Sequence, residues 1–358
     1  MRLALFGFPQ TGKSTLFQLL TGVEPAAFGG RGEAQTGITK VPDPRLVKLR
    51  EMYSPKKYTP ATVEYLDLAG MEKGEAAKVL PLDQLRTADA LMHVVRAFED
   101  ASIPHVEGPL DPARDVATME TEFILADHGV VEKRIEKLRL QVQKINKPED
   151  KKELALMERG LAWLDEERPL REMELNDDER KTMRGYTFLS LKPLLIAVNA
   201  GEDAAAKLGE GAAAFGLEAW NERPYVAVVA LSAKIEAEIA QLDDDDAASF
   251  REDLGIEEPA LDRLIQASYA LLGQVSFFTV GEDECRAWTI DRDLAARRAA
   301  RAIHSDIERG FIRAEVIRWD ALLDAGAWSA ARDAGTLRLE GKEYPVQDGD
   351  VINFRFNV

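Results

Sequence analysis

The segment Gly7-Phe-Pro-Gln-Thr-Gly-Lys-Ser14 constrains this chain more than any other, because it fits G-x-x-x-x-G-K-[ST] in a context that gives the pattern physical meaning. A short apolar run, residues 3–6, precedes it, and a helical pattern beginning Ser14-Thr-Leu-Phe-Gln-Leu-Leu20 follows. A strand that turns into a helix in this way aims backbone N–H groups and the positive end of the helix at an anion. The expected roles follow from that geometry. Pro9, Gln10, Thr11, Gly12 and Thr15 wrap phosphates together with Lys13 and Ser14. Lys13 neutralises β and γ oxygens and counts as a catalytic group, while the Ser14 hydroxyl ligates Mg²⁺. The ligand class is a nucleoside triphosphate.

Apolar runs recur at residues 63–68, 90–95, 193–199 and 225–232, separated by helical patterns. This alternation predicts an α/β fold, a parallel sheet with helices on both faces. Ligand-binding groups belong at the C-terminal ends of such strands. Three of those ends carry chemistry. Asp67 closes one run and is followed by Gly70, the Asp-x-x-Gly arrangement of GTPases, which makes Asp67 the second residue on the metal side and Gly70 a nucleotide contact. Asn199-Ala200-Gly-Glu202 stands where GTPases carry Asn-Lys-x-Asp, and Ser232-Ala233-Lys234 matches their last base-lining motif. A glutamate in place of the aspartate, without the lysine, weakens guanine reading and admits adenine, so ATP is expected and GTP stays open. Met71 occupies the position at which Ras-like enzymes place a water-orienting glutamine, so another group must place the water.

From about residue 120 to 184 the pattern changes. Val131, Ile135, Leu138, Val142 and Ile145 recur at spacings of four and three, then Lys147-Pro-Glu-Asp150 breaks the run, and Leu154, Met157, Leu161 and Leu164 form a second stripe. Two such stripes predict an antiparallel coiled-coil arm inserted into the nucleotide-binding domain. Short strands and turns from residue 273 predict a separate small mixed α/β domain. The expected division is therefore 1–119 and 188–272 for the nucleotide-binding domain, 120–187 for the helical insertion and 273–358 for the terminal domain. The acidic run 243–246 reads as a solvated turn, since four consecutive acids point in different directions.

A net charge of −17 opposes indiscriminate binding to nucleic acid, and nothing points to sequence-specific DNA. The single cysteine, Cys285, excludes an internal disulfide and a cysteine-based zinc site, which suits a reducing compartment. No stretch approaches the ~20 consecutive apolar residues of a membrane span. A cytoplasmic protein is expected.

Three C-terminal strings extend the comparison: Arg286-Ala-Trp-Thr-Ile290, His304-Ser-Asp-Ile-Glu-Arg-Gly-Phe-Ile-Arg-Ala-Glu-Val-Ile317, and Leu337-Arg-Leu-Glu-Gly-Lys-Glu-Tyr-Pro-Val-Gln-Asp-Gly-Asp-Val351. With the motifs above, they make the chain resemble the Obg-like ATPases of the YchF group over essentially its whole length. The resemblance implies a ubiquitin-like, TGS-type β-grasp fold for the terminal domain. It also implies ATP as substrate in preference to GTP, dependence on Mg²⁺, and association with ribosomes, for which the arm and the terminal domain are the candidates. A catalytic histidine in a loop is implied too, and His105 stands at its place. The chain departs from the family pattern where Gln10 replaces an asparagine tied to a potassium site, where Arg31 falls at the switch I threonine with Thr36 displaced, and where the glycine-rich stretch is shortened after Gly74. The expected function is slow ATP hydrolysis in a translation-associated switch. A nucleotide-binding scaffold with little hydrolysis and a GTP-preferring enzyme are the alternatives. The group Arg292, Arg297, Arg298, Arg301, Arg309 and Arg313 is either a phosphate-contacting surface or a solvated face paired with acids.

Overall fold

The structure, a computed structural model, describes residues 2–24, 35–68, 82–100, 102, 105, 108–256 and 258–357. It contains two compact units, one formed by Met1–Ile38 with Glu64–Ala267, the other by Thr39–Val63 with Ser268–Val358.

Both faces of a parallel sheet are covered by helices, so its central strands are apolar almost without interruption. Its strands are β1 (Arg2–Phe6), β2 (Gln35–Lys40), β4 (Thr62–Asp67), β5 (Ala90–Ala97), β6 (Leu194–Ala200) and β7 (Val226–Leu231), while β3 (Lys57–Thr59) belongs to a second sheet. The first sheet has the order β2-β4-β1-β5-β6-β7. Its β4-β1, β1-β5, β5-β6 and β6-β7 pairs are all parallel. Register gathers the functional strand ends on one edge: Leu5 lies beside Asp67, Phe6 beside His93, and Asn199 beside both Arg96 and Leu231. The α/β class expected from the alternation of runs is the one observed.

The helix Pro112–Lys144 begins with proline after the N-cap Asp111, whose carboxylate accepts from the Arg114 N–H at 3.0 Å. Its first turns bury Val116, Met119 and Phe123 in the sheet core, and the same helix then leaves the sheet to become one side of the arm. The boundary expected at residue 120 therefore falls inside one continuous helix. Val131, Ile135 and Leu138 pack with Met157 and Leu164 of the returning helix Pro148–Asp165, as the two stripes require, while Leu156, outside the expected stripe, is buried and Leu154 and Leu161 are only partly buried. The seam opens toward the tip, where Ile145 is exposed.

A buried polar network holds the root of the arm. The fully buried Asp127 carboxylate accepts from the backbone N–H groups of Leu189 (3.0 Å) and Ser190 (2.7 Å), from the Ser190 hydroxyl (2.8 Å) and from Arg86 (3.2 Å). Glu120 pairs with the buried Arg171 alongside it. Replacing Asp127 with alanine strands two buried N–H donors and a guanidinium, which costs about 3–5 kcal/mol. Urea unfolding measures it, and a loss below about 1 kcal/mol would show that the arm root is held by packing alone.

The second unit is built on β8 (Gln274–Thr279), β9 (Glu284–Asp291), β10 (Phe311–Arg318), β11 (Arg338–Glu340) and β12 (Asp350–Phe356). The order is β11-β10-β12-β8-β9-β3, with β8 and β9 an antiparallel hairpin and β12 parallel to β8 at the centre. Ala296 and Ala299 of a short helix pack against Phe277, Ile352 and Phe354. This is the β-grasp arrangement expected for the terminal domain.

Residues 39–63 belong to this second unit, whereas the division drawn from sequence kept them with the nucleotide-binding part. β3 pairs in parallel with β9, and the Thr59 hydroxyl donates to Glu284 at 2.7 Å. The helix Pro44–Tyr53 buries Leu46 and Leu49, and its Arg45 donates to both Asp43 and Asp348 while lying 5.3 Å from the centre of the Phe278 ring. Apart from the local Arg45–Asp43 pair, these pairings span more than two hundred residues of sequence, beyond the reach of local periodicity. The acidic run also has a defined place: Asp243 caps the helix Asp244–Asp253 by accepting from the Asp246 N–H at 2.9 Å. Among the described residues no helix is long and apolar enough to cross a membrane.

Candidate functional site

The loop after β1 is shaped by three residues with positive φ: Gly7 (145°), Gln10 (62°) and Gly12 (92°). A Cβ at Gly7 would lie 2.4 Å from the Val94 carbonyl oxygen, so only glycine lets the loop pass β5 this closely. Alternating hand along the backbone turns successive N–H groups inward, the concavity that binds phosphate. Gln10, Ser14 and Thr15 are exposed, Pro9, Gly12 and Lys13 are half-buried, and the Thr11 hydroxyl is turned inward to the Phe8 carbonyl at 3.2 Å. The helix Lys13–Thr21 starts at Gly12 without a side-chain cap, which leaves its first N–H groups available to a ligand.

The Lys13 ammonium folds over this loop and donates to the carbonyls of Phe8 (2.6 Å) and Gly7 (3.2 Å). Burial lowers its pKa to about 8, opposed by the nearby Asp67 carboxylate. Burial likewise raises Asp67, opposed by the Ser14 hydroxyl and the Lys13 charge. Beneath the loop, His93 stacks on Phe6 with ring centres 4.6 Å apart. Burial, helped by the Lys13 charge, pushes it down to about 3, so it is a neutral core imidazole. Asp67 and Ser14, brought together by β4 and the helix start, are hard oxygen donors suited to Mg²⁺. Asp67 Oδ1 is buried without a protein hydrogen-bond partner, the condition expected of an atom that meets an ion or an ordered water.

Asn199, at the end of β6, joins the loop to the base-side motif. Its Nδ2 donates to the Thr11 carbonyl at 2.9 Å and its Oδ1 accepts from the Ala233 N–H at 2.9 Å. Ser232 is buried and caps the helix Ala233–Ile239. Ala200 is buried at the strand end, and Glu202 is exposed and ion-paired with Lys234. The structure thus brings Pro9 to Thr15, Asp67, Asn199, Ser232 and Ala233 to one edge of the sheet. Gly70 lies outside the described residues, as do Arg31, Met71 and Gly74. Thr36 is exposed in β2.

His105 lies beside the phosphate loop: its ring meets the Phe8 ring edge-on, 6.0 Å between centres and 73° between planes. Its Nε2 is 2.8 Å from Asp115 Oδ2, with the two side chains 5% and 1% exposed. Sequence reasoning passed over Asp115, ten residues on and in the first turn of a helix, because nothing local marks it.

A phosphate-binding loop, a metal-side aspartate and an asparagine that bridges to a Ser-Ala-Lys turn, all on one edge of this sheet order, define a P-loop nucleotide-binding protein of the GTPase superfamily. The comparisons agree. Residues 2–158 match the family model described as 50S ribosome-binding GTPase, and residues 274–357 match the YchF GTPase C-terminal model, described as a protein of unknown function. The ribosome-binding ATPase YchF of Bacillus subtilis is 42% identical over 364 residues, covering 99% of this chain and 98% of the relative. That of Mycoplasma genitalium is 36% identical at the same coverage. The structure of the Schizosaccharomyces pombe YchF GTPase superposes with a TM-score of 0.86 at 30% identity, covering 99% of this chain and 97% of that one. The chain belongs to the YchF family.

Proposed function

We propose that this protein hydrolyses ATP to ADP and phosphate in a Mg²⁺-dependent reaction and works in association with the ribosome. The observation that carries the adenine reading is the Glu202 carboxylate engaged by Lys234. A guanine-reading carboxylate must accept from the base N1–H and 2-amino group, and one already neutralised by a lysine offers guanine no such advantage. Lys13 and the loop N–H groups hold the triphosphate, with Pro9, Gln10, Thr11, Gly12 and Thr15 forming the wall. Asn199, Ala200, Ser232 and Ala233 line the base side, with Gly70, outside the described residues, kept as a nucleotide contact on its Asp-x-x-Gly motif alone. Ser14 and Asp67 hold the ion, which when bound neutralises charge on the β and γ oxygens. His105 is the group that orients the attacking water.

Ribosome association is supported by the names of the relatives. The arm and the terminal unit are the contact surfaces in this reading. Arg292, Arg297, Arg298, Arg301, Arg309 and Arg313 of the terminal unit are all exposed, and of these Arg301 and Arg309 are paired with Glu308 and Asp306. Pelleting with purified ribosomes tests the association, and a protein that stays in the supernatant at micromolar concentration contradicts it.

Titration with ATP and GTP in Mg²⁺, followed by phosphate release, tests the enzyme reading. ATP is expected to bind at least about tenfold more tightly, a difference of ~1.4 kcal/mol. Turnover with GTP alone would reject the adenine reading, and tight binding without turnover would make the protein a scaffold.

A further inference from the structure

We propose that the contact between Arg86 and Asp127 couples the nucleotide site to the arm, so that the state of the bound nucleotide sets the angle of the arm to the nucleotide-binding sheet. This inference rests on the reading of the site as an ATP site and requires nothing of the ribosome.

Downstream of the Asp-x-x-Gly motif at Asp67 and Gly70, by which GTPase-type proteins sense a γ-phosphate, the chain forms the short helix Leu82–Arg86. Leu85 of this helix is buried in the same core as Leu68 and as Val116, Met119 and Phe123 of the arm helix. Arg86, its last residue, reaches across to the root of the arm. One guanidinium nitrogen donates to the Asp127 carboxylate at 3.2 Å, on the outgoing helix, and to the Thr187 carbonyl at 3.0 Å, on the chain returning from the arm. Lys192, also on the return, donates to the Arg86 carbonyl at 3.1 Å and to that of Ala88. The helix that follows the phosphate-sensing motif is thus tied to both legs of the arm.

Among the hydrogen bonds described, Arg86 is the one partner of Asp127 from the nucleotide side, the others being the Leu189 and Ser190 N–H groups and the Ser190 hydroxyl of the return. Asp127 is fully buried, and a buried carboxylate that loses its cationic partner is left with an uncompensated charge. A shift of the helix Leu82–Arg86 therefore carries the arm root with it. Beyond Asp127 the arm helix continues to Lys144, about 25 Å at 1.5 Å per residue, so a tilt of about 10° at the root displaces the tip by about 4 Å.

Spin labels on cysteines introduced at the exposed Gln141, near the arm tip, and the exposed Glu210, on the nucleotide-binding part, measure this displacement, the native Cys285 being buried. Between the ADP form and the form bound to Mg²⁺ and a non-hydrolysable ATP analogue, the mean distance is expected to change by at least about 3 Å. In Arg86→Ala the two distributions are expected to coincide, while affinity for both nucleotides stays within about threefold of wild type. A merely structural role for Arg86 would broaden both distributions and keep the difference between them. Coincident distributions in a wild-type chain that binds both nucleotides, or an Arg86→Ala chain that keeps the wild-type difference, overturn the proposal. Loss of nucleotide binding in Arg86→Ala overturns it as well, because Arg86 would then support the site itself. If the alanine variant fails to fold, Arg86→Gln, which keeps a donor for the Thr187 carbonyl but no charge for Asp127, is measured with the same expectation. A wild type that binds neither nucleotide removes the ATP reading, and the coupling with it.

Discussion

Exchanging Lys13 for alanine is expected to lower ATP turnover by at least about a hundredfold, the usual cost of removing a preorganised charge from a site of developing negative charge. In the structure this ammonium is turned inward, and among the hydrogen bonds described it donates only to the carbonyls of Gly7 and Phe8. Burial holds its pKa at about 8, well below the ordinary lysine value. The sign of the pH dependence follows. Below pH 8 the free protein and its complex both carry the proton; above it the free protein has lost the proton and a bound triphosphate restores it. Binding then takes up a proton, and affinity falls roughly tenfold per pH unit above about 8. Stability of the ligand-free fold moves the opposite way, rising as pH climbs from about 8 toward the unfolded lysine value, because the folded state is relieved of a buried charge. Calorimetry in buffers of different ionisation enthalpy measures the uptake. The alanine variant should bind weakly and lose this component. Equal affinity of the wild type at pH 7 and 9.5 would show that Lys13 keeps its charge in the free protein.

Gly12→Ala should be nearly as damaging, and through a different cause. Gly12 has φ of 92°, and a Cβ there would lie 2.3 Å from Asn199 Nδ2. That amide cannot yield cheaply, since it donates to the Thr11 carbonyl and accepts from the Ala233 N–H. Moving it breaks the tie between the phosphate loop and the base-side turn. The expected cost is about 2–4 kcal/mol in stability with at least about thirtyfold weaker nucleotide binding. Gly22→Ala is the control. It shares a positive φ, 68°, but a Cβ there meets nothing within 4 Å, so about 1 kcal/mol of backbone strain is expected and binding should be kept. Equal effects of the two substitutions on nucleotide affinity would mean that the Asn199 contact is unimportant and only backbone strain matters.

Much of the fold and site was legible because the relevant information is local. An apolar run that ends at a glycine-rich turn locates a strand end, and Lys13, Ser14, Asp67, Asn199 and Ser232 all stand at or just beyond such ends. The arm stripes were legible for the same reason, down to Val131, Ile135 and Leu138 facing Met157 and Leu164, though not Leu156. The start of the arm helix at Pro112 was missed because periodicity reports a buried face without distinguishing the sheet from the partner helix as what buries it.

The sequence by itself determined the class of ligand, the strand ends at which the candidate site residues gather and the existence of the arm, since each depends on residues within a few turns of one another. Only the tertiary structure decided that residues 39–63 complete the β-grasp unit and that Asn199 locks the phosphate loop to Ala233. It alone placed Asp115 against His105 and set Lys234 against Glu202. Each of these depends on how one element meets another in space: strand pairing across more than two hundred residues, a helix end against a loop, a lysine against a carboxylate in another turn. Side-chain periodicity records which face of an element is buried, and the partner that buries it is settled only when the chain has packed.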